Sequence, residues 1–184
     1  MAKGKQPVTP CTKEEVEAII NAAREDDYCY TLFKVASKTG RRIGEYYDVL
    51  VKDVDFEKKV MKTKILKRRQ RVEKEAILDD ELIYLIQRYV NTEKLKLDDY
   101  LFRKVGRRQI QNLIIKYAKK AGVEHHVTFH NFRHYFVTQL AQAGWTYEKI
   151  AKLTGHGTPG TLVAYDHMVA GDIADDAREA LKEL

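Results

Sequence analysis

A histidine and an arginine lie three residues apart in the stretch HNFRHYFVT, as His130 and Arg133. The segment from Val127 to Gly144 is mostly apolar with helical spacing, and residues three apart lie on one face of a helix. An imidazole and a guanidinium on one face can reach the same ligand, and a guanidinium can bind two oxygens of an anion at once. The pair therefore indicates a site for a small anionic group.

Three further stretches contain polar side chains with functional groups at positions where an apolar core would not require them. TGRRIGE contains Arg42 directly after an expected helix end, LTGH contains His156, and GTLVAYDH contains Tyr165 nine residues later. Taken singly, each has an ordinary explanation, such as a surface salt bridge for Arg42 or a core position for Tyr165. Taken together with the first pair and in this order, they provide two arginines, two histidines and a tyrosine, a set that is much harder to explain as ordinary structure.

In order and spacing, these stretches resemble the four sequence boxes of the tyrosine recombinases, the phage-integrase family of DNA strand-exchange enzymes. TGRRIGE is similar to T-G-hydrophobic-R-I-S-E, with Arg42 in the catalytic place and Arg41 replacing the usual apolar residue. HNFRHYFVT is similar to H-x-L-R-H followed by a threonine, LTGH to L-G-H, and PGTLVAYDH to S-T-T-x-x-Y-T-H. The resemblance covers about residues 12 to 170.

The resemblance implies a reaction and a role for each residue. Arg42 and Arg133 would bind the non-bridging oxygens of a phosphodiester and stabilise the charge that develops there. Tyr165 would attack the phosphorus while His130 assists by accepting its proton, and His156 would donate a hydrogen bond to the phosphate. The product is a 3′-phosphotyrosine ester, in which the phosphate stays esterified and is not hydrolysed. A 5′ hydroxyl of another strand can therefore reverse the step without ATP. No cofactor is expected.

The departing 5′ oxygen requires a general acid, which the family supplies from a β-hairpin. Lys62, Lys64 and Lys67 are all near the corresponding place. Strand alternation puts Lys62 and Lys64 on one face and Lys67 on the other, and the turn is expected within residues 68–71, adjacent to Lys67. We therefore expect Lys67 to be the acid, with Lys64 as the alternative.

Other functions fit parts of this pattern. A type IB topoisomerase uses similar residues to relax supercoils without exchanging partners, and a DNA-binding regulator could keep the fold without the reaction. The intact set of five residues argues against a regulator, because a pure binder would gain nothing from it. His130 and His134 also have the i, i+4 spacing of a zinc protease, but Asn131 stands where that enzyme needs glutamate. No metal is therefore expected.

Helical periodicity dominates the chain outside one basic hairpin. Thr12 and Glu15 form a capping box before an amphipathic helix, and Gly40 is expected to end a second one. Strands are predicted over residues 60–66 and 72–78. The expected fold class is mainly α with a small antiparallel β-sheet, which is the catalytic-domain fold of the family. Further helices are predicted from about residue 43, around residues 82–89, 110–117, 127–144 and 146–153, and in two short pieces near Tyr165 and Ala174.

Charge favours a polyanionic partner. The chain carries a net +6, and six acidic against two basic residues lie between Asp166 and Leu184, which leaves +10 for the rest. Nine residues from Lys58 to Lys74 are Lys or Arg. A charged hairpin edge kept in solvent is one explanation, and contact with the phosphates of double-stranded DNA is the other. The residues expected to contact DNA are Lys62, Lys64, Arg68, Arg69 and Arg71.

The length of 184 residues suits one well-cored domain. We expect a flexible arm over residues 1–11 and the catalytic domain over residues 12–184, without the N-terminal core-binding domain of the family. Cys11 and Cys29 form neither a disulfide framework nor a zinc spacing and are expected to be ordinary thiols.

The expected surroundings of the protein are the cytoplasm and DNA, since no apolar run suits a membrane helix or a secretion signal. By analogy with the family, we expect a monomer without DNA and a tetramer on it. The acidic segment of residues 171–184 is expected to dock on a neighbouring subunit.

Overall fold

The structure is a computed structural model that describes residues 9–67 and 70–154, apart from the side chains of residues 65–72. It falls into two compact units, which divide between Phe136 and Val137. The two short helices expected near Tyr165 and Ala174 lie outside the described residues.

Helix α1 (Lys13–Ala22) begins at the capping box that the sequence predicts. The Thr12 hydroxyl accepts a hydrogen bond from the Glu15 backbone N–H at 3.2 Å, and the Glu15 carboxylate accepts one from the Thr12 N–H at 2.9 Å. Both contacts satisfy donors that the first helical turn would leave without partners. The apolar face that follows is buried in the core.

Helix α2 (Asp27–Thr39) ends at Gly40, as expected from its sequence. Gly40 has a φ of 58°, in the left-handed region where a residue without Cβ is favoured. A Cβ at this position would also overlap the ring of Phe136. Gly40 therefore both turns the chain towards Arg41 and Arg42 and makes room for a later helix.

The sheet has three antiparallel strands in the order β1 (Val54–Asp55), β2 (Val60–Lys67) and β3 (Gln70–Ile77). The ladder of β2 and β3 runs from the pair Val60–Ile77 to the pair Lys67–Gln70. The predicted hairpin is confirmed, but β3 begins two residues before Val72, where polar residues hide the alternation. Strand β1 has only two residues, too few for a sequence pattern to reveal.

The remaining elements are helical, which confirms the expected fold class. Phe33 of α2 lies in the centre of the core, with ring centroids 5.8 Å from Tyr117, 5.8 Å from Phe129 and 5.9 Å from Phe132. These aromatic contacts join three helices around one side chain. The helices are α3 (Ile43–Tyr47), α4 (Asp80–Thr92), α5 (Arg107–Lys120), α6 (Phe129–Gln142) and α7 (Tyr147–Thr154), with a 3₁₀ turn at Val51–Asp53.

The second unit contains the C-terminal part of α6 together with α7. Val137 and Ala141 of α6 pack with Ile150 of α7 in a small apolar cluster of their own. Gly144, with a φ of 78°, lies in the turn between the two helices.

The two cysteines are more deeply buried than expected. Cys11 is 6% exposed and belongs to the core, so packing already begins at a residue that the sequence assigned to a flexible arm. Cys29 is fully buried in α2. Burial and the nearby Glu15 carboxylate raise the pKa of the Cys11 thiol to about 12, and burial also raises that of Cys29. Both are free thiols.

Among the described residues, no helix is both long and apolar enough to cross a membrane.

Candidate catalytic site

Three of the six residues expected to be catalytic line one cleft of about 330 Å³. Arg42 comes from the turn after α2, and His130 and Arg133 come from the first turns of α6. Their convergence joins parts of the chain that are about ninety residues apart. The lining consists of Arg42, Ile43, Gln111, Thr128, Phe129, His130 and Arg133.

The other expected residues are not tested by this geometry. His156 and Tyr165 lie outside the described residues, as do Arg68 and Arg69. The side chains of Lys67 and Arg71 are likewise outside what the structure describes. Their roles therefore stay predictions.

Arg42 is positioned at the N-cap of α3, directly after the left-handed turn at Gly40. Its guanidinium Nη1 lies 3.2 Å from the Glu45 carboxylate, while 49% of its side chain stays exposed. The Arg42 backbone N–H donates to the same carboxylate at 3.3 Å. Glu45 thus orients Arg42 without burying it, which leaves the charge available to a ligand.

Arg133 is buried, with 2% of its surface exposed. Its Nη1 donates to the Gly40 carbonyl at 2.8 Å, so the turn that positions Arg42 also holds Arg133. Burial and the neighbouring Arg42 charge lower the pKa of Arg133 to about 10. The group therefore remains protonated at neutral pH, but its charge is raised in energy by burial and like-charge repulsion, and a bound anion would relieve both.

His130 is open to solvent, yet neighbouring protein atoms partly desolvate its ring. That desolvation, followed by the charges of Arg133 and Arg42, lowers the pKa of His130 below its usual value of about 6.5. His130 is consequently neutral near pH 7 and able to accept a proton. The ring of His134 packs edge-on against it with a centroid distance of 4.8 Å, and burial lowers the pKa of His134 to about 4.

The start of α6 is held by a polar cluster that the sequence analysis did not anticipate. The Asn131 amide oxygen accepts hydrogen bonds from the Thr128 backbone N–H and hydroxyl, both at 2.9 Å. The Thr128 hydroxyl in turn accepts from the His130 N–H at 3.2 Å. Asn131 also donates to the Thr9 carbonyl at 2.7 Å. These contacts set the position of the helix turn that carries His130.

Gln111 of α5 was also missed as a residue of the cleft. Its neighbours Ile110 and Ile114 have clear core spacing, and a polar residue beside them is typical of a solvated helix face. Gln111 joins the lining because α5 packs against α3, whose first residue Ile43 also lines the cleft, and no local sequence signal reports that packing.

Arg41 takes the place of an apolar residue in the first box, and it is buried like one. It is 1% exposed, and burial lowers its pKa. Its Nη2 donates to the Glu75 carbonyl of β3 at 2.6 Å, and its backbone N–H donates to the Tyr46 hydroxyl at 2.8 Å. Arg41 therefore ties the turn that carries Arg42 to the hairpin, without lining the cleft.

Two lysines of β2 face acidic partners across the ladder. Lys62 pairs in register with Glu75, and Lys64 with Glu73. Lys62 is exposed and Lys64 half-buried. Cross-strand pairs of opposite charge stabilise a ladder, so part of this charge serves the hairpin itself.

The site so defined contains two guanidinium groups and a neutral imidazole around one small cleft of a mainly helical domain. Two guanidinium groups can bind an oxyanion, and a neutral imidazole next to them can accept a proton. Phosphoryl-transfer enzymes use this combination of groups. The model of the Phage integrase family matches residues 10–170, and this chain belongs to that family.

Its curated relatives include XerA and XerC tyrosine recombinases. XerA of Pyrococcus horikoshii is 28% identical over 184 residues, covering 94% of this chain and 60% of the relative. XerC of Natranaerobius thermophilus is 27% identical, with 84% of this chain and 56% of the relative covered. The chain thus spans less than two thirds of the length of these relatives.

Solved structures share the fold. The crystal structure of a XerA recombinase has a TM-score of 0.82 and 24% identity, covering 98% of this chain and 66% of that chain. A XerH site-specific recombinase bound to its palindromic difH substrate has a TM-score of 0.78 and 19% identity, covering 96% and 54%. At these identities the likeness establishes the fold alone.

Proposed function

We propose that this chain is the catalytic domain of a site-specific DNA recombinase or integrase, which cleaves and rejoins strands through a 3′-phosphotyrosyl intermediate. The observation that carries the proposal is the convergence of Arg42, His130 and Arg133 on one cleft. The names of the relatives support strand exchange, and the DNA complexes among the similar structures support double-stranded DNA as the partner.

The electrostatics of the cleft suit a phosphodiester. Burial and then the charge of Arg42 lower the pKa of Arg133, and the Glu45 carboxylate that pairs with Arg42 opposes this only in part. A phosphate oxygen between the two guanidinium groups would compensate the remaining positive charge. Attack on phosphorus adds charge to the non-bridging oxygens, and guanidinium groups that are already in place stabilise this charge without reorganising. The stabilisation is therefore larger in the transition state than in the bound ground state.

The proposed proton steps combine the lowered pKa of His130 with the roles that the family resemblance implies for the other residues. Neutral His130 accepts the phenol proton as the Tyr165 oxygen bonds to phosphorus, and His156 donates a hydrogen bond to a phosphate oxygen. The bond from phosphorus to the 5′ oxygen breaks, and Lys67 protonates that oxygen. Attack by a 5′ hydroxyl of another strand reverses each transfer and restores the tyrosine.

The proposal extends to partners and location. The basic residues Lys62, Lys64, Arg68, Arg69 and Arg71 contact DNA phosphates, and the protein acts in the cytoplasm on DNA. Copies of the chain are monomeric in solution and assemble as a tetramer on DNA. The catalytic domain comprises residues 12–184.

Covalent trapping tests the proposed function. We expect this chain, incubated with a pool of nicked suicide duplexes randomised around the nick, to form a protein–DNA adduct that survives denaturation in detergent. The short fragment beyond the nick diffuses away after cleavage and prevents rejoining, so the intermediate accumulates. Denaturing gel electrophoresis and sequencing of the captured strand measure the adduct and its site.

The same assay separates the alternatives. A DNA-binding regulator would retard the duplexes in a native gel and give no adduct, which would contradict the proposal. A topoisomerase would form the adduct and relax supercoiled plasmid, but it would not exchange strands between two unbroken duplexes. Exchange of strands between two unbroken duplexes that carry the captured site is the outcome that supports recombination.

Lys67 is predicted to be the general acid. Its backbone forms the last pair of the ladder, beside the turn, whereas Lys64 lies three residues earlier and opposite Glu73. Lys67→Ala is expected to abolish cleavage of ordinary DNA and to regain it on DNA whose bridging 5′ oxygen is replaced by sulphur, because a thiolate departs without a proton. The adduct yield on both substrates measures this rescue.

Lys64→Ala is the matched variant in the same strand. If sulphur substitution rescues Lys64→Ala and leaves Lys67→Ala inactive, Lys64 is the acid and the assignment of Lys67 is wrong.

A further inference from the structure

A second group of chemically capable side chains lies apart from the cleft. Cys11 precedes α1, Glu15 lies in the first turn of α1, and His125 lies in the loop between α5 and α6. The Cys11 sulphur, a Glu15 carboxylate oxygen and a His125 ring nitrogen all lie within 4.8 Å of one another. Among the described residues, no other such group of three or more is found.

The ring of His125 faces Glu15 through its Nε2 atom. The His125 Nε2 lies 3.2 Å from both oxygens of the Glu15 carboxylate. Nε2 is therefore the ring nitrogen placed to share a ligand with Glu15, and the buried Cys11 sulphur belongs to the same cluster. The Nδ1 atom is buried and has no hydrogen-bond partner among the described residues, so no hydrogen bond at Nδ1 would have to break when Nε2 binds an ion.

We propose that Cys11, Glu15 and His125 bind one Zn²⁺ ion, with water as the fourth ligand. Thiolate, imidazole and carboxylate are the side chains that bind zinc in proteins, and three of them with an open fourth position form a common tetrahedral site. The ion would replace the thiol proton of Cys11, since the thiolate is the form that coordinates.

The spacing of the three groups is close to what zinc requires. Zinc–ligand bonds of about 2.0–2.3 Å place the atoms of a tetrahedral site roughly 3.2–3.8 Å apart. The contact of 3.2 Å between His125 and Glu15 already falls in this range. The widest separation allowed by the cluster, 4.8 Å, would need to shorten by about 1 Å, so zinc binding would draw the Cys11 sulphur towards the other two ligands.

Zinc at this position would hold the N-terminal segment against the loop that leads into α6. The hydrogen bond from Asn131 to the Thr9 carbonyl already joins the same two parts of the chain. The ion would add a second connection, five residues before His130. Binding of the ion would strengthen this connection, and the inference does not depend on the proposed strand transfer.

Metal titration of the whole chain tests the site. After removal of metal with a chelator, we expect isothermal titration with Zn²⁺ to show one ion per chain, and Co²⁺ to give the charge-transfer absorption of a cobalt–thiolate bond. Zn²⁺ is expected to raise the midpoint of thermal unfolding. Cys11→Ala and His125→Ala are expected to weaken binding by about 100-fold or more, exceeding the 10–100-fold typical for outer-shell partners.

Two matched variants serve as controls. Cys29→Ala removes the other buried thiol and His126→Ala removes the adjacent imidazole, and both are expected to bind Zn²⁺ like the unmodified chain. The proposal is overturned if no stoichiometric binding occurs, if the cobalt–thiolate band is absent, or if Cys11→Ala binds as tightly as the unmodified chain. Loss of binding in His126→Ala alone would also overturn it, because His125 would then not be the ligand.

Discussion

Replacing Tyr165 by phenylalanine is expected to reduce covalent adduct formation on suicide duplexes to an undetectable level. The substitution removes one oxygen atom, and that atom is the proposed nucleophile, so no bond to phosphorus can form. Because the aromatic ring remains, the DNA affinity measured by native gel retardation is expected to change by less than about twofold. The adduct is measured on denaturing gels under conditions that saturate binding.

A matched hydroxyl deletion checks the specificity of this loss. Tyr84 is an exposed tyrosine of α4, and Tyr84→Phe is expected to form the adduct as the unmodified chain does. An adduct that persists in Tyr165→Phe would mean that another residue is the nucleophile, and the assignment based on the GTLVAYDH stretch would fail.

The Arg133→Gln substitution is expected to slow adduct formation by about 10²–10³-fold, the loss typical of removing one well-placed donor to a developing oxyanion. Arg133 lines the cleft, and its guanidinium is held by the Gly40 carbonyl before any ligand arrives. Glutamine keeps an N–H donor but loses both the charge and the planar fork that binds two oxygens. Single-turnover rates of adduct formation measure the effect.

A second substitution separates the contribution of the positive charge of Arg133 to the rate from that of its planar guanidinium geometry. Arg133→Lys keeps the charge without the fork, so its rate is expected to lie between those of glutamine and arginine. Arg41→Met removes another buried guanidinium, one that bonds to Glu75 and lies outside the cleft lining. It is expected to stay within about tenfold of the unmodified rate, since it takes no group from the phosphate site.

Thermal unfolding monitored by circular dichroism accompanies these rates, so that loss of fold is distinguished from loss of chemistry. If a folded Arg133→Gln protein reacts as fast as the unmodified chain, Arg133 does not contact the reacting phosphate. If Arg41→Met loses as much activity as Arg133→Gln, the effect belongs to the general charge of the region and not to the cleft.

Local sequence features predicted the helix ends of this fold. The capping box at Thr12 and the helix end at Gly40 are both confirmed. Both depend on local backbone requirements: free N–H groups at a helix start need side-chain acceptors close in sequence, and the left-handed residue at a helix end favours glycine. The strand bounds were less accurate, since β3 begins at Gln70 in a run of polar residues where alternation is hidden. Two-residue β1 carries no pattern at all.

Residue types and their order along the chain were enough to select Arg42, His130 and Arg133 as candidates. Arginine and histidine side chains on mostly apolar elements suit the binding of a phosphate, whereas packing of a small domain does not require them. They were also enough to predict a mainly helical domain with a basic hairpin. These inferences depend on the spacing of residues and on the chemical type of their side chains, and the sequence contains both.

Only the tertiary structure decided what surrounds these groups. Packing of α5 against α3 brought Gln111 to the cleft, and burial lowered the pKa values of Arg133 and His130. The same packing joined Cys11 and His125, which are more than a hundred residues apart, in one cluster. The physical reason is that desolvation and long-range contact depend on which surfaces the folded chain covers, and no local pattern encodes that.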